Sequence, residues 1–213
     1  MSDWHDRFVL KGAFTFLLWE GTLHRATRDL DLMGYGSPER RAVEDVFRAI
    51  AGTDEGPGDG LQFDPLSVSV APIPEQAEYD GIRVKLMTHL GSARIPLQID
   101  VGFGDAITPD PESATFPALL EFPAPRMRMY PRETVIAEKL HGMVRFGIAN
   151  TRMKDYYDLW FLSVHFPFEG AMLQRAIRAT FQRRGTTLPD RRPVALTEDF
   201  ARREEKGAAV DSL

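Results

Sequence analysis

The chain has 213 residues, a formal net charge of −5, 43% hydrophobic and 27% charged residues, and no cysteine. That length supports one good core, or a core plus a smaller helical lobe. The charge argues against an overall basic nucleic-acid coat without excluding a local basic patch, and the lack of cysteine excludes disulfides and thiolate metal sites and fits a cytoplasmic protein.

No apolar run approaches the ~20 residues needed to span a bilayer, and MSDWHDRFVLKG lacks the regions of a signal peptide. RFVLKG reads as a short buried strand ending at Lys11-Gly12, and AFTFLLWEG as a helix stopped by Gly21. RATRDLDLMG reads as a second strand. Ser37-Pro38-Glu39 reads as the start of a helix, with Ser37 as N-cap and Pro38 in the first position. That helix runs through RRAVEDVFRAIAG, with Val43, Val46, Phe47 and Ile50 on one face. TDEGPGDG is a loop by its glycine and acid content. FDPLSVSVAPIP and DGIRVKLMTHLG read as two antiparallel strands around a Pro-rich, acidic turn, and ARIPLQIDVGFGD as another strand. Residues 107–133 carry six prolines and read as an extended connector with a short strand at its end. ETVIAEKLHGMVRFG, MKDYYDLWFLSVHF and EGAMLQRAIRATFQRRG are helical, and the polar tail after Arg192 reads as loosely ordered. The order of strand, helix, strands, then helices predicts an α+β fold, with a core at 1–130 and a helical lobe at 131–213.

TRDLDLMG poses a chemical question. Successive strand side chains point to opposite faces, so Leu30 and Leu32 share one face and Asp29 and Asp31 the other. Two like charges side by side resist burial. Water at an exposed strand end would relieve them, and so would a divalent metal. Asp100 lies on the polar face of another strand, with Gln98, opposite Leu97, Ile99 and Val101. If the strands are adjacent, three carboxylates converge, a hard oxygen set suited to Mg²⁺ and, with two ions, to a phosphoryl-type displacement. The alternative is that these are solvated strand acids. Lys11-Gly12-Ala13, where a strand enters a helix, is a place that favours anions, although such turns are common. Asp155 and Asp158 are neighbours on one helical face, and Asp155 would also serve as a first-turn acid. Lys139 interrupts Val135, Ile136, Leu140 and Met143, and either snorkels to water or reaches a phosphate. His141, on the same helix, reads as a structural histidine ahead of a general base.

Taken together, FVLKGAFTFLLWEGTLHRATRDLDLMG, IDVGFGD and ETVIAEKLHGMVRFGIANTRMKDYYDLWFL resemble the AbiEii/AbiGii toxin family over roughly residues 7–165. The most specific segments are R-A-T-R-D-L-D-L, A-E-K-L and R-M-K-D-Y-Y-D-L. The resemblance implies a polymerase-β-type nucleotidyltransferase core followed by a helical lobe that completes the active site. It implies binding of an NTP with Mg²⁺ and transfer of a nucleoside monophosphate with release of pyrophosphate, in some relatives to tRNA. It also implies a role in toxin–antitoxin or phage-defence systems, with an antitoxin as partner. By position, Lys11 and Gly12 match the phosphate turn, Asp29 and Asp31 the paired metal acids, and Asp100 the third acid that helps activate the attacking hydroxyl. Lys139 matches the helical lysine that contacts the triphosphate. Asp155 and Asp158, with Arg152 and Lys154 beside them, match an R-D-x-x-D-like motif of catalytic and nucleotide-binding residues.

Two features depart from the family pattern. The turn has Ala13 where the family has a second glycine, and a methyl there could crowd phosphate. Only a short segment precedes the first strand, where larger members carry helices, which leaves a compact variant or a start codon assigned too late. Three functions follow. One is transfer to RNA or tRNA, for which the six arginines of residues 175–192 against the single acid Asp190 offer a backbone-tracking patch. The second is the same chemistry on a small molecule or protein hydroxyl. The third is a non-catalytic nucleotide-binding module.

Overall fold

The computed structural model describes residues 4–22, 27, 29–53, 58–73, 81–118 and 121–202. Parts of five expectations lie outside the described residues: the start of the second strand (25, 26 and 28), half of the TDEGPGDG loop (54–57), the Pro-rich turn (74–80), two residues of the proline-rich connector (119–120) and the end of the tail (203–213). The chain forms two compact units, Met1–Gly104 with Glu112–Met129 and Asp105–Pro111 with Tyr130–Leu213. No helix among the described residues is long and apolar enough to cross a membrane.

The first unit is built on a seven-stranded mixed sheet, which together with its helices makes the fold α+β. Its strands are β1 (Phe8–Lys11), β2 (Leu30–Gly34), β3 (Leu61–Pro72), β4 (Gly81–Leu90), β5 (Ala93–Phe103), β6 (Glu112–Thr115) and β7 (Arg126–Met129), in the order β3-β4-β5-β2-β1-β7-β6. β2 sits in the middle, antiparallel to β1 and parallel to β5. Period-two alternation drives Leu10, Leu32, Val101, Ile82, Val84 and Leu86 onto one face. There they form a core with Val43, Phe47 and Ala51 of helix α2 (Arg40–Ala51). Phe8 and Phe47 rings meet at 5.4 Å across this layer. Each side chain fully buried here contributes about 1.5–3 kcal/mol of transfer free energy.

Three details differ from the sequence expectation. Helix α2 starts at Arg40, because the Ser37 hydroxyl accepts the Glu39 N–H at 3.2 Å and Glu39 stays extended. The proline-rich connector holds two short strands: β6 pairs antiparallel with β7, and β7 runs parallel to β1. Its prolines fall outside the paired residues, as an edge strand requires. Between Asp64 and Ser69 the β3–β4 register shifts, where Ser67 Oγ accepts the Met87 N–H at 2.8 Å.

The second unit contains helices α3 (Arg132–Phe146), α4 (Met153–His165), α5 (Gly170–Arg183) and the short α6 (Glu198–Ala201). α3 packs against both α4 and α5. The segment Asp105–Pro111 is tied to this unit: Thr134 Oγ1 bonds both the N–H and the C=O of Thr108 at 2.9 Å, and Arg184 donates to Asp105 Oδ1 at 3.0 Å. Tyr130 donates to Asp105 Oδ2 at 3.1 Å, and burial, followed by the Glu138 and Asp105 carboxylates, holds its hydroxyl well above the usual tyrosine range. The segment after Arg192, read as loose, instead forms a 3-10 turn at Val194–Leu196 and α6. Ala195 and Phe200 bury against Met143 and Met153, and Phe200 stacks on Tyr156 at 5.3 Å.

Candidate active site

The face of the sheet opposite α2 carries charge. Strand register places Lys11 opposite Asp31, Asp31 opposite Asp100, and Asp100 opposite Arg83, so one row crosses β1, β2, β5 and β4 in the order Lys-Asp-Asp-Arg. One residue along each strand, the row Leu10, Leu32, Val101, Ile82 points the other way and is buried. Alternation alone therefore separates core from chemistry. Adjacent strands lie about 4.8 Å apart, so the two aspartates of the row are close neighbours. Asp29 is two residues from Asp31 on the same face and accepts a hydrogen bond from Gln98 Nε2 at 2.8 Å.

Each aspartate has a defined environment. Asp100 takes a two-pronged ion pair from Arg83: Nε donates to Oδ1 at 2.8 Å and Nη2 to Oδ2 at 2.7 Å. Asp31 lies against the turn at Gly12. Gly12 has φ +72, a conformation that suits glycine, and a Cβ there would collide with Asp31 Oδ2 and stand 2.9 Å from Asp31 Cβ. Only a bare backbone fits. Thr15 closes the turn, donating from Oγ1 to the Gly12 carbonyl at 2.8 Å. Lys11 is 3% exposed, and Ala13 is buried too, so its methyl is packed inside the unit.

The donor set suits a hard divalent cation, because it consists of carboxylate oxygens alone on neighbouring strands. Among the described residues, however, no three acids or histidines are already gathered around a common point. Arg83 occupies both oxygens of Asp100, and Gln98 engages one of Asp29.

The second group of expected residues forms a knot in the helical unit. Lys139 Nζ on α3 lies 2.7 Å from Asp155 Oδ1 and 2.7 Å from Asp158 Oδ2 on α4. Arg152 Nε donates to Asp155 Oδ2 at 2.8 Å. The Lys139 side chain is 12% exposed and that of Asp158 0%. Burial alone would lower the Lys139 ammonium; the Asp155 and Asp158 carboxylates outweigh it and raise the group well above the lysine range. Burial would likewise raise Asp155, but Lys139 and Arg152 hold it below the usual carboxylate range. Lys154 is exposed in the first turn of α4. His141 is structural: Nε2 pairs with Thr186 Oγ1 at 2.9 Å, and burial followed by the Arg184 and Arg145 charges lowers it to about 4.

The structure thus brings Lys11, Gly12, Asp29, Asp31 and Asp100 together on one sheet face, and Lys139, Arg152, Asp155 and Asp158 in one helical knot. Sequence reasoning missed Arg83 and the partnership of Gln98 with Asp29. The alternation Gly81, Arg83, Lys85 was a visible sign of a charged face, but the β4–β5 register was not. Of the six arginines in 175–192, five are exposed, and Arg184 is taken up by Asp105 and Glu138.

Among solved structures the chain is similar to JHP933 from Helicobacter pylori, at 19% identity over 75% of this chain and 59% of that one, with a TM-score of 0.44. It is also similar to the antibiotic-resistance factor ANT(2'')-Ia, at 14% identity over 84% of each chain, with a TM-score of 0.46. The chain spans about six tenths of the length of JHP933. No curated protein matches it. The family model described as nucleotidyl transferase AbiEii toxin, type IV TA system, matches residues 1–211, and the chain belongs to that family of nucleotidyltransferase toxins.

Proposed function

We propose that this protein is a Mg²⁺-dependent enzyme that moves a nucleoside monophosphate from an NTP to an RNA acceptor of the tRNA class. In this reading it acts in the cytoplasm as the toxin of a toxin–antitoxin or phage-defence system and is neutralised by an antitoxin encoded nearby. The observation that supports it is the cross-strand row of Lys11, Asp31, Asp100 and Arg83 with Asp29 beside it. Asp29, Asp31 and Asp100 are the residues that would hold the metal. Mg²⁺ bound there supplies charge stabilisation at the reacting phosphate and the leaving pyrophosphate.

The acceptor hydroxyl oxygen forms a bond to the α-phosphorus, the α–β phosphoanhydride bond breaks, and pyrophosphate leaves with its electron pair. Asp100 receives the hydroxyl proton on a carboxylate oxygen. Lys11 and the bare backbone of Gly12 are assigned to the phosphates. The charge of Lys11 carries that role, because α1 (Phe14–Glu20) has only 7 residues and little dipole to offer. In the helical unit, Lys139, Asp155 and Asp158 are assigned a positioning role, fixing the start of α4. Arg152 and Lys154 at that start are the cations for the nucleotide. The five exposed arginines of 175–192 are assigned to the RNA backbone.

Pyrophosphate release with Mg²⁺ and each NTP tests the reading. Release that requires RNA, falls with added salt and is lost in Asp31→Asn supports it. The net charge of −5 favours a second reading, a small-molecule or protein hydroxyl as acceptor. Release that proceeds without RNA selects that reading. NTP binding with no release selects a nucleotide-binding module.

A further inference from the structure

Arg83 and a divalent cation compete for the same atoms. The guanidinium fork uses both oxygens of Asp100, at 2.8 and 2.7 Å. A metal shared by Asp31 and Asp100 needs one of those oxygens, and two cations on a single carboxylate repel each other. The row as it stands is balanced in charge, with Lys11 and Arg83 flanking the two aspartates. Each aspartate of the row thus has a cation beside it in register, which offsets the repulsion between the two carboxylates. The two ends of the ion pair differ in freedom. The Arg83 side chain is 30% exposed, whereas that of Asp100 is 9% exposed and fixed in the middle of the sheet. Arg83 carries its charge on a long stem that can swing towards water, so it is the partner that yields.

We propose that Arg83 is a cation placeholder for Asp100: it neutralises the third acid until a divalent ion arrives, and its displacement sets how tightly that ion binds. The inference rests on the metal-binding reading of Asp31 and Asp100. It adds a positioning residue that acts through Asp100.

The test uses the full chain without nucleotide, with Mn²⁺ as the probe, its free fraction being read by electron paramagnetic resonance. Arg83→Gln removes the competitor and is expected to tighten Mn²⁺ binding about tenfold, since charge-assisted forked pairs are among the stronger polar contacts. Arg83→Lys keeps a charge but loses the fork, and is expected to fall between the two. In isotope-labelled wild type, saturating Mg²⁺ is expected to shift the Arg83 side-chain N–H resonance, which a purely structural ion pair would not show. Circular dichroism confirms the fold of each variant. Binding by Arg83→Gln that exceeds wild type supports the proposal, even where wild type binds too weakly to measure. Equal Mn²⁺ affinity in wild type and both variants, or an unmoved Arg83 resonance at saturating Mg²⁺, overturns it while leaving the metal site standing. No Mn²⁺ binding by wild type or by folded Arg83→Gln overturns both.

Discussion

Replacing Lys139 with Met isolates the helical knot. The side chain is nearly isosteric in its stem but carries no charge, and it leaves Asp155 and Asp158 buried on one helical face with Arg152 as the cation nearest Asp155. Breaking a buried ion pair by removing one partner costs about 3–5 kcal/mol, because a charge is stranded. Against a total stability of ~5–15 kcal/mol this is large, and it lowers Tm by roughly 10 °C in a chain of this size. The loss depends on pH. In the wild type, Asp155 is held below its ordinary value, so its contribution is present above pH ~4 and is lost as pH falls through the lowered value. Lys139 is raised, so its contribution is present below pH ~10.5 and is lost as pH rises through the raised value. The knot therefore stabilises the fold across the whole range between. In Lys139→Met both buried carboxylates lose their shared ammonium while Arg152 stays on Asp155, and protonation relieves the excess negative charge, so the deficit is greatest near neutrality and shrinks towards pH 4–5. Urea melts at pH 5 and pH 7.5 measure it. A deficit below about 1 kcal/mol at neutral pH, or one that grows on acidification, refutes the account of Lys139 as the cation that holds two buried acids.

Three other outcomes follow from the geometry. Gly12→Ala is expected to lose about 1–3 kcal/mol by thermal melt and most of the turnover, since its methyl strikes the Asp31 carboxylate; wild-type stability and rate would show that the turn adjusts freely. Asp31→Asn is expected to keep the fold, measured by circular dichroism, while losing pyrophosphate release, because the opposite face of β2 makes the core. His141, lowered to about 4, stays neutral in the fold while the unfolded chain takes up its proton below pH ~6.5, so stability should fall by about 3 kcal/mol between those values. His141→Phe should flatten that part of the pH profile, and an unchanged slope would show that His141 does not cause it.

Much of this was legible in the sequence. The period-two alternation of RDLDLMG and IPLQIDVGF placed Asp29, Asp31 and Asp100 on polar faces, and the sheet confirms that Asp31 and Asp100 face the same way in register. The helices of the second unit stood out by length and apolar content. What stayed hidden was nonlocal. ESAT is a polar four-residue run that becomes a strand only because Arg126–Met129 offers a partner. The pairing of Arg83 with Asp100 depends on a β4–β5 register that no local pattern encodes. Lys139 read as a lysine that either snorkels to water or reaches a phosphate, and nothing on α3 itself indicates that its ammonium lies 2.7 Å from both Asp155 and Asp158 of α4.

The central claim, nucleotidyl transfer to RNA from the paired aspartates, is tested most directly by label transfer. The purified protein is incubated with Mg²⁺, total tRNA and each α-labelled NTP in turn, with Asp29→Asn alongside. The account predicts label on tRNA with one NTP and none with the variant. Label from no NTP, or equal label with Asp29→Asn, contradicts it.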